Sequence, residues 1–378
     1  MHPRMTRAVC AAAAGALISL GLAGAAGAAS TAPQAPGLPA SAPSAAAAAG
    51  SPLSAARPTG PVTAYVVNNG NGTPGTVSPI QTTTNKALKA ITVGGGGPCA
   101  IAITPDGKTA YVSCEGGVPA VVVPIDTATN KAGKAIEAGS FPGDIAITPD
   151  GKTAYVVNEY SNTVVPIRTA INKPGKAIKV GGGPDAIAIT PDGKTAYVVN
   201  GGSGTVTPIN TTTNKAGQAI KVGKGVEAGS AYIAITPDGK TAYVADTGPY
   251  QVSDTVTPIN TATDKAGNAI RVGKGPIAIA ITPDGKTAYV VNGFGGYSTA
   301  ASDTVTPIST ATNKAGRAIK VGASPGPIAI TPNGKTAYVV NSGGAFSIGT
   351  VTPIRTATNK ADKAIKVGIL PGAIAITP

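Results

Sequence analysis

The sequence predicts an all-β protein, a seven-bladed β-propeller of four-stranded blades, and three observations carry that prediction. The nine residues TPDGKTAYV occur five times, beginning at Thr104, Thr148, Thr190, Thr236 and Thr282, and a sixth copy at Thr331 carries Asn333 in place of aspartate. The tyrosines of this repeat and its N-terminal partner, Tyr65, Tyr111, Tyr155, Tyr197, Tyr243, Tyr289 and Tyr338, are spaced by 46, 44, 42, 46, 46 and 49 residues, which suits one propeller blade per repeat. No run shows apolar residues at helical spacing over a useful length.

Within one unit, residues 186–223 for example, four short β-prone runs are separated by turn signals: AIAIT, TAYVVN, TVTPIN and QAIKVG. We label them strands a, b, c and d. The a–b connection TPDGK has Pro and Asp at the centre of a type I turn, with Gly following where a left-handed residue is needed. The c–d connection, TTTNKAG in this unit, is longer and polar. Proline stands within strand c of every unit, at Pro79, Pro124, Pro166, Pro208, Pro258, Pro307 and Pro353. Proline removes a ladder donor, so a bulge or a short strand d is expected to leave that position unpaired.

The repeats begin at Thr63 with a strand b and finish at Ala373–Pro378 with a strand a, giving seven of each strand type. The C-terminal strand a is therefore expected to complete the sheet begun by the N-terminal b, c and d, closing the ring. The expected domains are a signal peptide over 1–28, an Ala/Pro/Ser-rich linker over 29–61 and the propeller over 62–378.

The chain opens with MHPRMTR, an uncharged Ala/Leu/Gly run and the triplet Ala26-Gly27-Ala28. That order of charge, apolar run and small residues is the pattern of a cleaved secretory signal. An uncleaved membrane anchor is the alternative, since about 20 uncharged residues can span a bilayer. The linker that follows has too little apolar surface to offset its ordering entropy. Export places the protein outside the cell or at the cell surface, as a monomer with no transmembrane segment in its mature form.

The formal net charge is +13. Removing Arg4 and Arg7 with the signal leaves 28 basic and 17 acidic residues, or +11. Such an excess attracts anionic surfaces without implying nucleic acid, which is not expected as a partner. The single histidine, His2, falls in the signal, so Ser-His-Asp and Cys-His activation cannot be built within the mature chain. A P-loop, a GxGxxG within a βαβ unit and a CxxC are also missing.

Tyr-Val-Val-Asn after PDGKTA, followed by TVTPINTATNK and KAIKVG, resembles the YVTN-type β-propeller repeat of secreted and surface-layer proteins, which is related in shape to lactonase-type propellers. The resemblance covers about residues 62–378. It implies the fold, whereas propellers serve binding, scaffolding and several enzyme chemistries.

In such a ring the a–b and c–d turns share one face and the b–c and d–a loops the other. The turn face is nearly invariant and carries 15 cations against 8 acids, about +7. Its lysines are expected either to keep the protein soluble or to contact an anionic envelope polymer. The loop face varies in length and chemistry. Glu115, Glu159, Asp246, Asp254 and Asp303 fall in b–c loops, and Asp144, Asp185 and Glu227 fall in or beside d–a loops. Lys224 and Lys274 alone oppose these eight acids, giving about −6. All seven aromatics outside the repeated position also lie there: Phe141, Tyr160, Tyr232, Tyr250, Phe294, Tyr297 and Phe346. Variable loops on a rigid scaffold are where binding residues concentrate. These acids, with Tyr160, Tyr232, Tyr250, Phe294, Tyr297 and Phe346, are the candidate ligand-binding residues, suited to a sugar, a peptide or a cation.

No catalytic residue, cofactor or metal ligand is assigned; calcium within DTGPYQVSD is the one ion the loop chemistry accommodates. The expected function is a non-enzymatic binding or scaffold propeller whose partner is an envelope glycan, a polyanion or a protein. A lactonase-like hydrolase and a purely structural envelope protein are the alternatives. Cys99 and Cys114 flank one a–b hairpin. A two-residue loop brings them face to face, whereas a bulge at Gly107 moves Cys114 to the other side of the strand. Export and the even cysteine count favour a disulfide, closing a loop of about 15 residues and worth about 3 kcal/mol.

Overall fold

The computed structural model describes residues 11–12, 44–45, 63–68, 75–81, 86–94, 98–114, 120–222, 231–246, 253–293, 302–331, 333–343 and 348–369. Seven antiparallel sheets repeat one hairpin pattern. Strand b is Thr63–Asn68, Thr109–Cys114, Thr153–Asn158, Thr195–Asn200, Thr241–Asp246, Thr287–Asn292 and Thr336–Asn341 in blades 1 to 7. Strand c follows at Thr76–Gln81, Val121–Asp126, Thr163–Arg168, Thr205–Asn210, Thr255–Asn260, Thr304–Ser309 and Ile348–Arg355. Strand a of blades 2 to 7 is Pro98–Ile103, Pro142–Ile147, Pro184–Ile189, Ala231–Ile235, Pro276–Ile281 and Pro325–Ile330. From blade 2 to blade 7 successive strands a lie against one another, so this row forms the inner edge. The expected closing strand, Ala373–Pro378, lies outside the described residues.

The proline of strand c explains the shape of strand d. In blade 3, strand d is two pieces, Lys173–Pro174 and Ile178–Lys179, pairing with strand c on either side of Pro166. Gly175 N bulges inward and donates to the Pro166 carbonyl at 2.7 Å. The missing proline N–H therefore faces a bulge, as expected. The one helical element among the described residues is a single 3-10 turn, Thr169–Ile171. No described helix is long and apolar enough to cross a membrane.

The core lies between blades, because both faces of strand b are buried. In TAYVVN the tyrosine and second valine face one neighbour while the alanine and first valine face the other, the period-2 alternation of a strand. One apolar layer thus joins Tyr197 and Val199 of blade 4 to Ile233, Ile235, Ala242 and Val244 of blade 5. Equivalent layers fill the junctions from blades 1 and 2 through blades 6 and 7.

The repeated tyrosine does more than supply area. Tyr155 is fully buried, yet its hydroxyl donates to Asn214 Oδ1 at 2.6 Å and to the Thr211 carbonyl at 3.1 Å in the c–d loop of the next blade. Tyr65, Tyr111, Tyr197, Tyr243 and Tyr289 make the same reach to Asn130, Asn172, Asp264, Asn313 and Asn359. Each receiving residue has a positive φ of 51° to 54°, a conformation Asn and Asp tolerate better than most. Burial, and then a nearby aspartate, push the hydroxyls of Tyr65, Tyr111, Tyr155, Tyr243 and Tyr289 up to about 12.

The a–b turn behaves as its chemistry predicts, and the register beside it is that of the two-residue loop. Gly107 N donates to Thr104 O at 2.7 Å and Thr104 N to Thr109 O at 2.9 Å, with Gly107 at φ 72°. Ile103 therefore pairs with Ala110, the register that would oppose Cys99 and Cys114 if it ran on unbroken. A bulge between Pro98 and Ile101 shifts it, so that Pro98 faces Cys114. This corrects the expected disulfide: Cys114 is a free, buried thiol, and burial pushes it up to about 12. The Cys99 side chain lies outside the described residues.

Candidate ligand-binding face

The loops form the second face, and backbone hydrogen bonds tie them together in pairs. Glu159 N donates to Phe141 O at 3.2 Å, joining the b–c loop of blade 3 to the d–a loop that precedes it. Gly202 N reaches Gly183 O and Ser342 N reaches Ser324 O in the same manner.

Among the described residues the candidate acids do not gather into one cluster. Asp144 lies within strand a and is 3% exposed. Its Oδ1 accepts from Ile145 N and its Oδ2 from Ile187 N on the strand a of blade 4, each at 3.0 Å. It is a staple between neighbouring inner strands. Asp185 also belongs to strand a, at the residue bulged between Pro184 and Ala186. Tyr232 is in strand a and packs on the layer between blades 5 and 6, and Asp246 ends strand b. Sequence spacing had set these four in or beside loops, yet the repeat aligns Asp144 and Tyr232 with the first position of AIAIT and Asp246 with the last of TAYVVN; only Asp185 is reached by an earlier start of strand a.

Asp254 and Asp303 do occupy b–c loops and hold them in place. Asp254 Oδ2 pairs with Arg271 Nε at 3.0 Å. Asp303 Oδ1 accepts from Ser324 N at 3.0 Å, while its carbonyl accepts from Val321 N. Glu115, Glu227, Tyr250, Phe294, Tyr297 and Phe346 lie outside the described residues. Among the described residues no three His, Cys, Asp or Glu side chains come together as metal ligands.

Glu159 and Tyr160 remain, and the structure adds Phe141. The Phe141 and Tyr160 rings stack with centroids 4.3 Å apart and planes 13° from parallel. Tyr160 is 51% exposed. Half-burial raises the Glu159 carboxyl above its ordinary range, and this side chain has no hydrogen-bond or ion-pair partner among the described residues. Phe141 has φ 60°, an outlier for a bulky side chain. In the equivalent loops the residue before the proline is Gly183 at φ 57°, Gly275 at φ 61° and Ser324 at φ 50°. Phe141 thus stands where two sister loops use glycine. Aligning the d–a loops by their shared proline would have found it in the sequence, where it counted only as one of the face's aromatics.

The seven repeated sheets define a seven-bladed β-propeller. Residues 59–173 match the family described as Lactonase, 7-bladed beta-propeller. Among solved structures the chain is similar to the hydrazine synthase of Kuenenia stuttgartiensis, at 24% identity over 73% of this chain and 88% of that one, with a TM-score of 0.59. It is equally similar in shape, TM-score 0.59, to a functionally unknown protein of Desulfotomaculum acetoxidans DSM 771, at 20% identity over 80% of this chain and 95% of that one. At these identities the likeness concerns the fold alone. No curated protein matches the sequence.

Proposed function

We propose that the protein is an exported binding module whose loop face engages a glycan through the Phe141–Tyr160 shelf. One observation carries this reading: a strained phenylalanine supports an exposed tyrosine beside a half-buried carboxyl that has no partner among the described residues. Backbone strain persists where surrounding structure enforces it, and it concentrates at functional sites. An aromatic face offers contact to the apolar face of a sugar ring, and an adjacent carboxylate accepts hydrogen bonds from its hydroxyls. The signal-like N-terminus supports export to a compartment where such glycans occur.

Thermal-shift titrations of the protein with neutral cell-wall glycan fragments, calcium and lactones test this. A salt-resistant shift with a neutral glycan, abolished in Tyr160→Ala and weakened in Glu159→Gln, is expected. Absence of any glycan shift would overturn the reading. The family match over residues 59–173 favours a second reading, a lactonase-like hydrolase. Steady turnover of a lactone panel at a rate unchanged by Tyr160→Ala would favour it instead.

A further inference from the structure

The positive charge is not arranged as the turn face suggested. Five lysines of the a–b turns pair with the aspartate two residues before them, at 3.4 to 3.8 Å, as in Lys152 with Asp150 and Lys194 with Asp192. Those pairs neutralise each other locally. Most of the charge without an ion-pair partner among the described residues lies on strand d, the outermost strand of every blade. Taking its first residue, the residue three on and the residue six on gives 21 positions across seven blades; 17 are Lys or Arg and one, Glu137, is acidic. Blade 6 shows the full set, Lys314, Arg317 and Lys320, all exposed. Among the described residues only Arg271 of this rim has an ion-pair partner.

Charge on an outer strand also blocks edge-to-edge pairing of sheets. That role favours lysine in particular, so it accounts for charge at the edge and for part of the bias, but it calls for no groove beside that edge. A second feature accompanies the bias. Between the outer edges of blades 5 and 6 lies an open groove of about 640 Å³, with Asn268, Arg271, Asn313 and Lys314 along its walls and Pro258 and Ile270 beneath. Arg271 gives its Nε to Asp254, which leaves its terminal nitrogens free to donate.

We propose that the rim is a track for a linear, flexible, phosphate-bearing polymer, seated in the groove between blades 5 and 6 and continuing along the neighbouring strands d. A series of cations with few intervening acids matches a chain of regularly placed anions and acts through counterion release. Duplex nucleic acid fits poorly, because its persistence length of about 50 nm is far greater than the roughly 20 Å radius of gyration of a domain this size. The track is independent of the loop-face shelf.

The test measures binding of the full chain to inorganic polyphosphate and to a glycerol-phosphate polymer over a range of salt, with duplex DNA and a neutral glycan alongside. The quadruple variant Arg271→Gln, Lys314→Gln, Arg317→Gln, Lys320→Gln is expected to lose at least about tenfold in affinity at low salt and to flatten the log–log salt slope by about 3. The control Lys108→Gln, Lys152→Gln, Lys194→Gln, Lys240→Gln removes the same charge from the turn face and should stay within about threefold of the parent. Tyr160→Ala should leave polymer binding unchanged. If circular dichroism shows the rim variant unfolded, Lys173→Gln, Lys176→Gln, Lys179→Gln in blade 3 is read in its place. Tighter binding of one phosphate polymer than the other identifies the source of the anion. Equal losses in rim and turn variants, equal affinity for duplex DNA, or no binding to either polymer at low salt would overturn the proposal.

Discussion

At the turn face every left-handed backbone position among the described residues is glycine, asparagine or aspartate, whereas at the loop face Phe141, Asn162, Asp303 and Ser324 share that role with glycine. The two faces therefore relate to the repeat in opposite ways. On the turn face the same contacts recur from blade to blade: Gly151 rests on Pro105, Gly193 on Pro149 and Gly239 on Pro191, while each buried tyrosine locks onto the next c–d loop. A single successful junction was copied. On the loop face each blade departs from its neighbours, and the departures include strain. Conservation of shape on one side leaves the other side free to vary.

The sharpest way to break this comparison is to exchange the roles of two tyrosines only five residues apart. Tyr155→Ala removes a buried ring and the hydroxyl that bridges to blade 4, and is expected to destabilise by about 3–5 kcal/mol in chemical denaturation. Tyr160→Ala, half-exposed, should cost no more than about 1.5 kcal/mol, the worth of its stack. Equal costs would mean that the loop face is as much scaffold as the turn face.

Asp144 is the residue through which the scaffold enters the loop side. Asp144→Ala leaves the Ile145 and Ile187 amides without their acceptor and should cost about 1–3 kcal/mol. If stability instead changes by less than about 0.5 kcal/mol while ligand binding is lost, Asp144 belongs to the binding site.

Alkali tests all the tyrosine locks together. Tyr65, Tyr111, Tyr155, Tyr243 and Tyr289 are raised from 10.0 to about 12, so the folded state disfavours tyrosinate. Their contribution is complete below pH 10 and falls away as pH rises through about 12. Unfolding followed by circular dichroism should therefore coincide with tyrosinate absorbance in that window.

The strand types, the blade period, the proline-linked bulge and the turn were legible because each depends on local chemistry repeated many times: PDG for the turn, alternating Tyr and Val for a strand buried on both faces, proline for the break in strand d. What was not legible depends on contacts between blades. Nothing local in the sequence distinguishes Asp144, bonded to blade 4, from an acid at a channel mouth. The register at Cys114 turned on a bulge near Cys99 that the hairpin signal does not encode. The net charge of the turn face does not say which of its lysines are held by the aspartate two residues before them.

Phe141→Gly is the smallest expected change in stability and the most informative about what the loop face is for. It relieves a left-handed conformation that costs a non-glycine residue about 1–2 kcal/mol, and it loses a stack worth about 0.5–1.5 kcal/mol together with about 0.5–1 kcal/mol from a more mobile unfolded chain. These terms nearly cancel, so denaturation should shift by no more than about 1 kcal/mol. Binding should not be so forgiving, because Tyr160 loses the ring that fixes its orientation. A variant as stable as the parent that no longer binds glycan would show that Phe141 is retained against its own backbone preference for the sake of the shelf. A variant that is more stable by over 1 kcal/mol and binds as before would make the strained phenylalanine a tolerated accident of the loop, and would remove the main reason for placing the ligand there.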